Sequence, residues 1–363
     1  MAARRAAVAT KKPRAELPAP APELYAAALE LAEQAPKPAT VGGVRFGTAG
    51  WSDASLSRAE LFYPKTVKSP EARLRYYAEH FQVVEVDAMF YALLAADTVR
   101  RWAEWTPDSF RFHAKAHPVF TGHPIERRRL PAELAAQVPD LGGARVYPQH
   151  LPGELAREIE QRYFASLAPL IEARRLSSIL IQFPPWFDAT RGNVRHIEGL
   201  RQRYPEAPFS VEFRNRSWLL PERRERVVDF LRAQNVSYVV VDEPDVPRGG
   251  VPPLPIVTSQ RLSVLRFHGQ NRQAWSRPGA SVEERFNYLY GPSELNEWTE
   301  RVRRLSEHAE EVHAVFNNCV RNFAILNAKG LATLLMPESD SASSQAGARG
   351  DRSQHDSGGF QPG

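Results

Sequence analysis

The amino-acid sequence predicts an α/β fold of the (β/α)8 TIM-barrel type, a single domain with a flexible tail at each end. Three observations carry that expectation. Eight short runs rich in Val, Ile and Phe recur between residues 41 and 336. Most of them are followed by a stretch with apolar residues at helical spacing, so the repeating unit is strand then helix. The strand-like runs are apolar almost throughout instead of alternating, as a parallel sheet covered on both faces requires. Eight such units in one body of this length are best explained by a closed barrel. An open doubly wound sheet is the alternative, weakened because no G-x-G-x-x-G follows the first run and no P-loop occurs.

In chain order, residues 1–40 read as a basic, Pro-rich arm. Met1–Pro20 is short of large apolar residues, and Glu23–Gln34 can form one helix before Lys37 and Pro38. The predicted strands are Val44–Thr48, Val83–Asp87, Phe110–Lys115, Ile179–Phe183, Phe209–Phe213, Tyr238–Asp242, Val264–His268 and Val312–Phe316. Helical patterns occupy Ala72–His80, Thr98–Glu104, Pro221–Gln234, Ser293–His308 and Asn322–Leu335. Pro244–Gln260, full of Pro and Gly, has no helical pattern, and His117–Ser177 forms a long excursion. Residues 337–363 have almost no apolar side chain and should be a disordered tail.

Composition narrows the function classes. The chain has 363 residues, 43% hydrophobic, with 47 Lys and Arg against 42 Asp and Glu, so there is ample material for a large core and only a thin excess of positive charge. The single cysteine, Cys319, cannot form an internal disulfide, and no Cys/His run has zinc-site spacing, which makes a cytoplasmic setting natural. The longest apolar runs are strand-length, far below the roughly 20 residues of a membrane span, so no membrane partner is expected. Nucleic acid is a permitted but not favoured partner, and nothing specifies an oligomeric state.

Charged residues at the ends of buried parallel strands are expensive unless paired or functional, and they mark the mouth of a barrel. The second strand carries Glu85 and Asp87, the third His113 and Lys115, the fourth Gln182, the fifth Glu212 and Arg214, the sixth Asp242, the seventh Arg266 and His268, and the eighth runs into Asn317. Alternation puts each same-strand pair on one face. Aromatic residues follow several of these strands: Trp51, Phe90, Tyr91, Trp186, Phe187, Trp218 and Trp275.

The segments Gly47–Ser52, Phe62–Pro64, Tyr76–Tyr91, Val99–Ala116, Ile181–Phe187, Val211–Leu219, Val239–Pro244, Leu265–Asn271 and His313–Asn318 together resemble the YecE-like proteins, formally the domain of unknown function 72. The likeness runs in order from about Val44 to Leu335. It implies a TIM barrel and imports no reaction. Ala88 and Met89 stand where the family often has small hydroxyl residues.

The near balance of acids and bases at the predicted mouth points to a metal-independent acid–base enzyme, hydrolytic in the least committed reading, with a small polar or anionic, sugar-like or phosphorylated ligand and no cofactor. Glu85, Lys115, Glu212, Asp242 and His268 are the candidate catalytic groups. Trp51, Asp87, Tyr91, Gln182, Trp186, Arg214, Arg266, Asn271 and Asn317 are the candidate binding groups. Two rivals are a divalent-metal phosphoesterase or nuclease, with Glu85, Glu212, Asp242 and His268 as ligands, and a non-catalytic binding or scaffold protein. A His113, His117 and His123 cluster reads as coincidence, and Gly47, Gly50 and Gly269 allow backbone to approach a ligand.

Overall fold

Strand ends fix the site, so the strands come first. A computed structural model describes residues 17–246 and 250–337. Eight strands, β1 (Val44–Thr48), β2 (Val83–Val86), β3 (Arg111–Lys115), β4 (Leu176–Gln182), β5 (Phe209–Glu212), β6 (Ser237–Asp242), β7 (Leu262–Phe267) and β8 (Glu311–Phe316), run parallel, each beside the next. The ring closes where β8 pairs with β1 through Val312 opposite Val44 to Phe316 opposite Thr48. Each of the eight expected runs overlaps one of these strands, within three residues at either end.

The principal helices are α1 (Pro22–Glu33), α2 (Pro70–His80), α3 (Ala96–Glu104), α4 (Gly153–Glu172), α5 (Arg191–Arg203), α6 (Pro221–Ala233), α7 (Pro292–Ser306) and α8 (Phe323–Leu335). Local chemistry sets their starts. Ser69 accepts from the Ala72 amide ahead of α2, which has Pro70 in its first turn. Glu294 reaches back to the Gly291 amide at 2.8 Å to begin α7. The described residues between β6 and β7 contain no helix, as the Pro-rich sequence there predicts.

Outward-facing strand residues form the core against these helices. Phe267 stacks on Phe316 at 4.3 Å between ring centres and meets Trp298 edge-on, while Phe213 stacks on Trp218 at 4.3 Å. Gly47 answers a close approach inside the ring, because a Cβ there would lie 1.9 Å from the Val83 carbonyl oxygen. Its lack of a side chain thus serves strand packing.

Helix α1 is docked, not free. Ala28 and Ala32 are buried with Leu289, Val320, Phe323 and Leu326, and the Thr333 hydroxyl donates to the Leu31 carbonyl at 2.9 Å. The proposed basic arm before residue 17 and the C-terminal tail beyond residue 337 lie outside the described residues. The excursion after β3 resolves into a one-turn helix (Pro118–Thr121), a small hairpin pairing Ile125–Glu126 with Arg145–Val146, and α4. No helix among the described residues is long and apolar enough to cross a membrane.

Candidate functional site

The interior of the barrel is crossed by a chain of alternating charges. Arg266 on β7 is fully buried and donates from Nε to Glu85 Oε2 at 2.9 Å, from Nη2 to Glu85 Oε1 at 2.5 Å, and from Nη1 to Glu212 Oε2. Glu212 Oε1 receives Arg214 Nε, and Arg214 Nη1 continues to Glu243. Arg214 Nη2 lies 2.8 Å from His268 Nε2. The chain therefore reads Glu85, Arg266, Glu212, Arg214, Glu243, with His268 against its fourth member. Arginine suits such a place because its planar fork serves two carboxylates at once and keeps its charge when buried.

The same contacts fix the protonation of His268. A guanidinium does not give up its proton, so Nε2 accepts and the ring proton sits on Nδ1. Asn317 Nδ2 lies 3.0 Å from Nδ1, and turning that amide over brings its oxygen to the Nδ1 proton. Burial and the Arg214 charge depress the pKa of His268 to about 3, keeping it neutral. Burial pushes Glu212 upward, but Arg214 and Arg266 override it and hold the group well below the usual carboxylate range. For Glu243 burial wins over Arg214, and its pKa rises to about 7.

At the open end, Glu85 is also raised to about 7 by burial, against the pull of Arg266 and with repulsion from Asp87. Asp87 is driven the other way, since Lys115 and Arg266 outweigh its burial. Lys115 Nζ lies 3.2 Å from Asp87 Oδ1 and 5.3 Å from the centre of the Phe90 ring. About a third of the Asp87 side chain but little of Lys115 is exposed, and the Oδ1 that faces Lys115 is buried, so the pair meets solvent only through the rest of the Asp87 side chain, while Glu85, Glu212, Arg266 and His268 are sealed. Gln182 neighbours Glu212 across the β4–β5 ladder and has no side-chain partner among the described residues. Trp186 and Tyr91 are exposed at the rim, and His123 sits 5.8 Å from Trp186 and 5.3 Å from Phe90, ring centre to ring centre. Trp275 lies over Arg214 at 5.5 Å.

Several expected roles change. Asp242 is not part of the network: it pairs with outward-facing Phe267 across the ladder, and its carboxylate takes Gln270 Nε2 at 2.6 Å and the Tyr290 hydroxyl. Its neighbour Glu243 enters instead, a residue the sequence reading missed. Trp51 is buried edge-on against Trp102 at 5.4 Å, so it belongs to the core. Asn271 accepts from the Ala274 amide and donates to the Glu284 carbonyl at 2.9 Å, so it ties a loop together. Arg266 has no free face for a ligand. Asp87, Lys115, Tyr91, Gln182, Trp186, Arg214 and Asn317 do converge on the mouth with Glu85, Glu212 and His268.

The three histidines of the excursion separate. His113 points into the barrel, where its Nε2 is 2.7 Å from His313 Nδ1, and His313 Nε2 is 2.9 Å from Glu311. His117 accepts from the Val119 amide, and His123 Nδ1 lies 2.8 Å from the Thr121 hydroxyl. The residues a metal would recruit do not fit one: guanidinium groups occupy Glu85 and Glu212, and Asp242 faces away. Among the described residues, no three His, Cys, Asp or Glu side chains form a candidate metal-binding group.

Known proteins share this architecture. A family model described as "Protein of unknown function DUF72" matches residues 45–350. The UPF0759 protein YunF of Bacillus subtilis (strain 168) is 31% identical over 295 residues, which are 80% of this chain and 94% of that protein. The UPF0759 protein YecE of Escherichia coli O157:H7 is 28% identical over 178 residues, 40% of this chain and 65% of that one. Among solved structures, a DUF72 family protein from Thermotoga maritima MSB8 aligns with a TM-score of 0.63 and 31% identity, covering 80% of this chain and 98% of its own. One from Enterococcus faecalis V583 gives 0.66 and 28%, covering 80% and 95%.

Proposed function

The chain belongs to the DUF72 family, and from the geometry of its barrel mouth we propose that it is a metal-independent acid–base enzyme, hydrolytic in class, acting on a small polar or anionic ligand. The observation that carries this reading is the Asp87–Lys115 pair, 3.2 Å apart, with the Asp87 side chain partly exposed above a sealed ion network. Asp87, held ionised by Lys115, takes a proton from an attacking water. Lys115 stabilises the negative charge that develops on the substrate oxygen. Glu85, raised to about 7 beside it, is a proton reservoir at neutral pH. Gln182, whose amide has no partner among the described residues, orients polar groups of the ligand, Arg214 and Asn317 hold His268 beneath it, and Trp186 walls the site.

Glu212, Arg266 and His268 act through position. With their donors and acceptors committed to one another, they lock the rotamers of the residues above them. A cytoplasmic setting suits the chain, whose one cysteine, Cys319, has no partner for a disulfide. Acids and bases nearly cancel at the mouth, so a long polyanion finds little there to grip and nucleic acid is the less favoured ligand.

The test is a hydrolysis screen over phosphorylated and unphosphorylated sugars and simple esters with three proteins: wild type, Asp87→Asn and Lys115→Met. Turnover should fall about 100-fold to 10,000-fold in each variant, with unchanged circular dichroism. Full turnover in both variants would remove the assignment, and tight binding of a ligand that is never turned over would make the barrel a binding protein.

A further inference from the structure

Beside the mouth lies a cavity of about 170 Å³, lined among others by Phe90, Tyr91, His117, His123, Arg129, Arg145 and the Glu126 carboxylate between the arginines. The hairpin of the β3 excursion supplies part of its wall. Phe90 is shared with the mouth, since Lys115 sits over its ring. The space is below the roughly 300–1,000 Å³ of drug-sized sites, so it takes one small ring and not an oligomer.

Its chemistry is complementary at three points. Arg129 Nε donates to Glu126 at 2.8 Å, Arg128 reaches the same carboxylate at 3.2 Å and Arg145 lies 3.6 Å from it. One carboxylate faces three guanidiniums, which leaves surplus positive charge at the rim. The mouth has no such surplus, with Glu85, Asp87, Glu212 and Glu243 against Lys115, Arg214 and Arg266. An anionic group is thus drawn to the hairpin and away from Asp87.

Inside the cavity lie two neutral imidazoles. His117 is almost wholly buried and accepts the Val119 amide at Nδ1, so its proton is on Nε2, which has no partner among the described residues. His123 Nδ1 is engaged with the Thr121 hydroxyl at 2.8 Å, which leaves its Nε2 for a ligand. Two ring nitrogens not committed to the protein suit the hydroxyls of a sugar, while the Phe90–Tyr91 pair offers an aromatic wall to its CH surface. Tyr91 is itself held under Arg129 at 4.7 Å.

We propose that this cavity is a binding subsite for a phosphorylated monosaccharide, with the phosphoryl group on Arg129 and Arg145, the ring against the edge-to-face Phe90–Tyr91 pair, and hydroxyls on His117 and His123. The assignment rests on the mouth being a small-molecule site and names its substrate class.

The experiment is titration calorimetry of the full chain with glucose 6-phosphate, glucose and glucuronate. The proteins are wild type, the double variant Arg129→Met/Arg145→Met, and the double variant Asp87→Asn/Lys115→Met. Wild type should bind glucose 6-phosphate at least about tenfold more tightly than glucose or glucuronate, and the arginine variant should lose about tenfold to a hundredfold of that affinity. Arg145 is about two-thirds exposed and Arg129 about two-fifths, so melting of the variant is compared with wild type, and Tyr91→Ala gives a second, uncharged probe that should weaken binding as well. Equal affinity for the sugars, no binding of glucose 6-phosphate, preference for glucuronate, or binding untouched by the arginine variant would overturn the subsite. Binding lost only in the Asp87/Lys115 variant would overturn it while leaving the mouth as the ligand site. Binding lost only in the arginine variant would support it and count against the proposed role of the mouth.

Discussion

Arg266 sits at the end of a buried strand, where a charge invites a ligand-binding role, yet its hydrogen bonds go to Glu85 and Glu212. Its removal should therefore be felt in stability. Arg266→Met strands two carboxylates in a dry interior and should cost about 3–5 kcal/mol in urea unfolding at pH 8. A loss below about 1 kcal/mol would mean that water reaches the network. Most of the mouth was legible because Glu85, Asp87, Lys115, Glu212, Arg214, Arg266 and His268 interrupt apolar strands. The choice of Asp242 over Glu243 was not, for a physical reason. β6 reads Ser-Tyr-Val-Val-Val-Asp, apolar on both faces, so alternation gives no phase, and only pairing of Val239 with Val264 and Val241 with Arg266 shows which residues point inward. Trp51 failed differently, since a ring after a strand fits a core as well as a pocket.

Among the elements, β1 and β2 show how closely a barrel can constrain one residue. The Gly47 Cα faces the Val83 carbonyl so tightly that a methyl group would overlap the oxygen. Gly47→Ala should destabilise the protein by about 3 kcal/mol or more, read as a fall in urea midpoint, or abolish soluble expression. A midpoint within error of wild type would show that the strands can separate there. The eight strands were legible because each is a continuous apolar run between turn residues. The hairpin of the excursion was not, because strands of two residues, Ile125–Glu126 and Arg145–Val146, are too short to carry any periodicity. The docking of α1 was hidden for a related reason: its buried face is chiefly Ala28 and Ala32, small residues that give a weak apolar signal.

Across the whole molecule, buried titratable groups pull stability in two directions as pH changes. His117 and His268 are depressed to about 3 and His123 to about 4, all chiefly by burial, and His113 and His313 are lowered in the same sense. Below about 6.5, the ordinary histidine value, the unfolded chain takes up protons that the fold refuses, so these groups remove stability on acidification from about pH 6.5 toward 3. Glu85 and Glu243 act oppositely. Raised to about 7 from 4.5, they keep protons in the fold that the unfolded chain releases, and their contribution disappears as pH climbs through that window. Below about 4.5 the histidines act unopposed, joined by Glu212 and by Glu311, whose pKa of about 2 is set by its bond to His313. Between 4.5 and 6.5 the two acids offset only part of the effect of the five histidines, and well above 6.5 only the acids remain. The urea midpoint should therefore rise from pH 4, peak near about 6.5 and decline by pH 8. Glu243→Gln isolates the acid limb, because glutamine keeps the neutral form at every pH. Relative to wild type its midpoint should improve between pH 5 and pH 8, and an advantage that shrank instead would mean that Arg214, not burial, governs the Glu243 carboxyl.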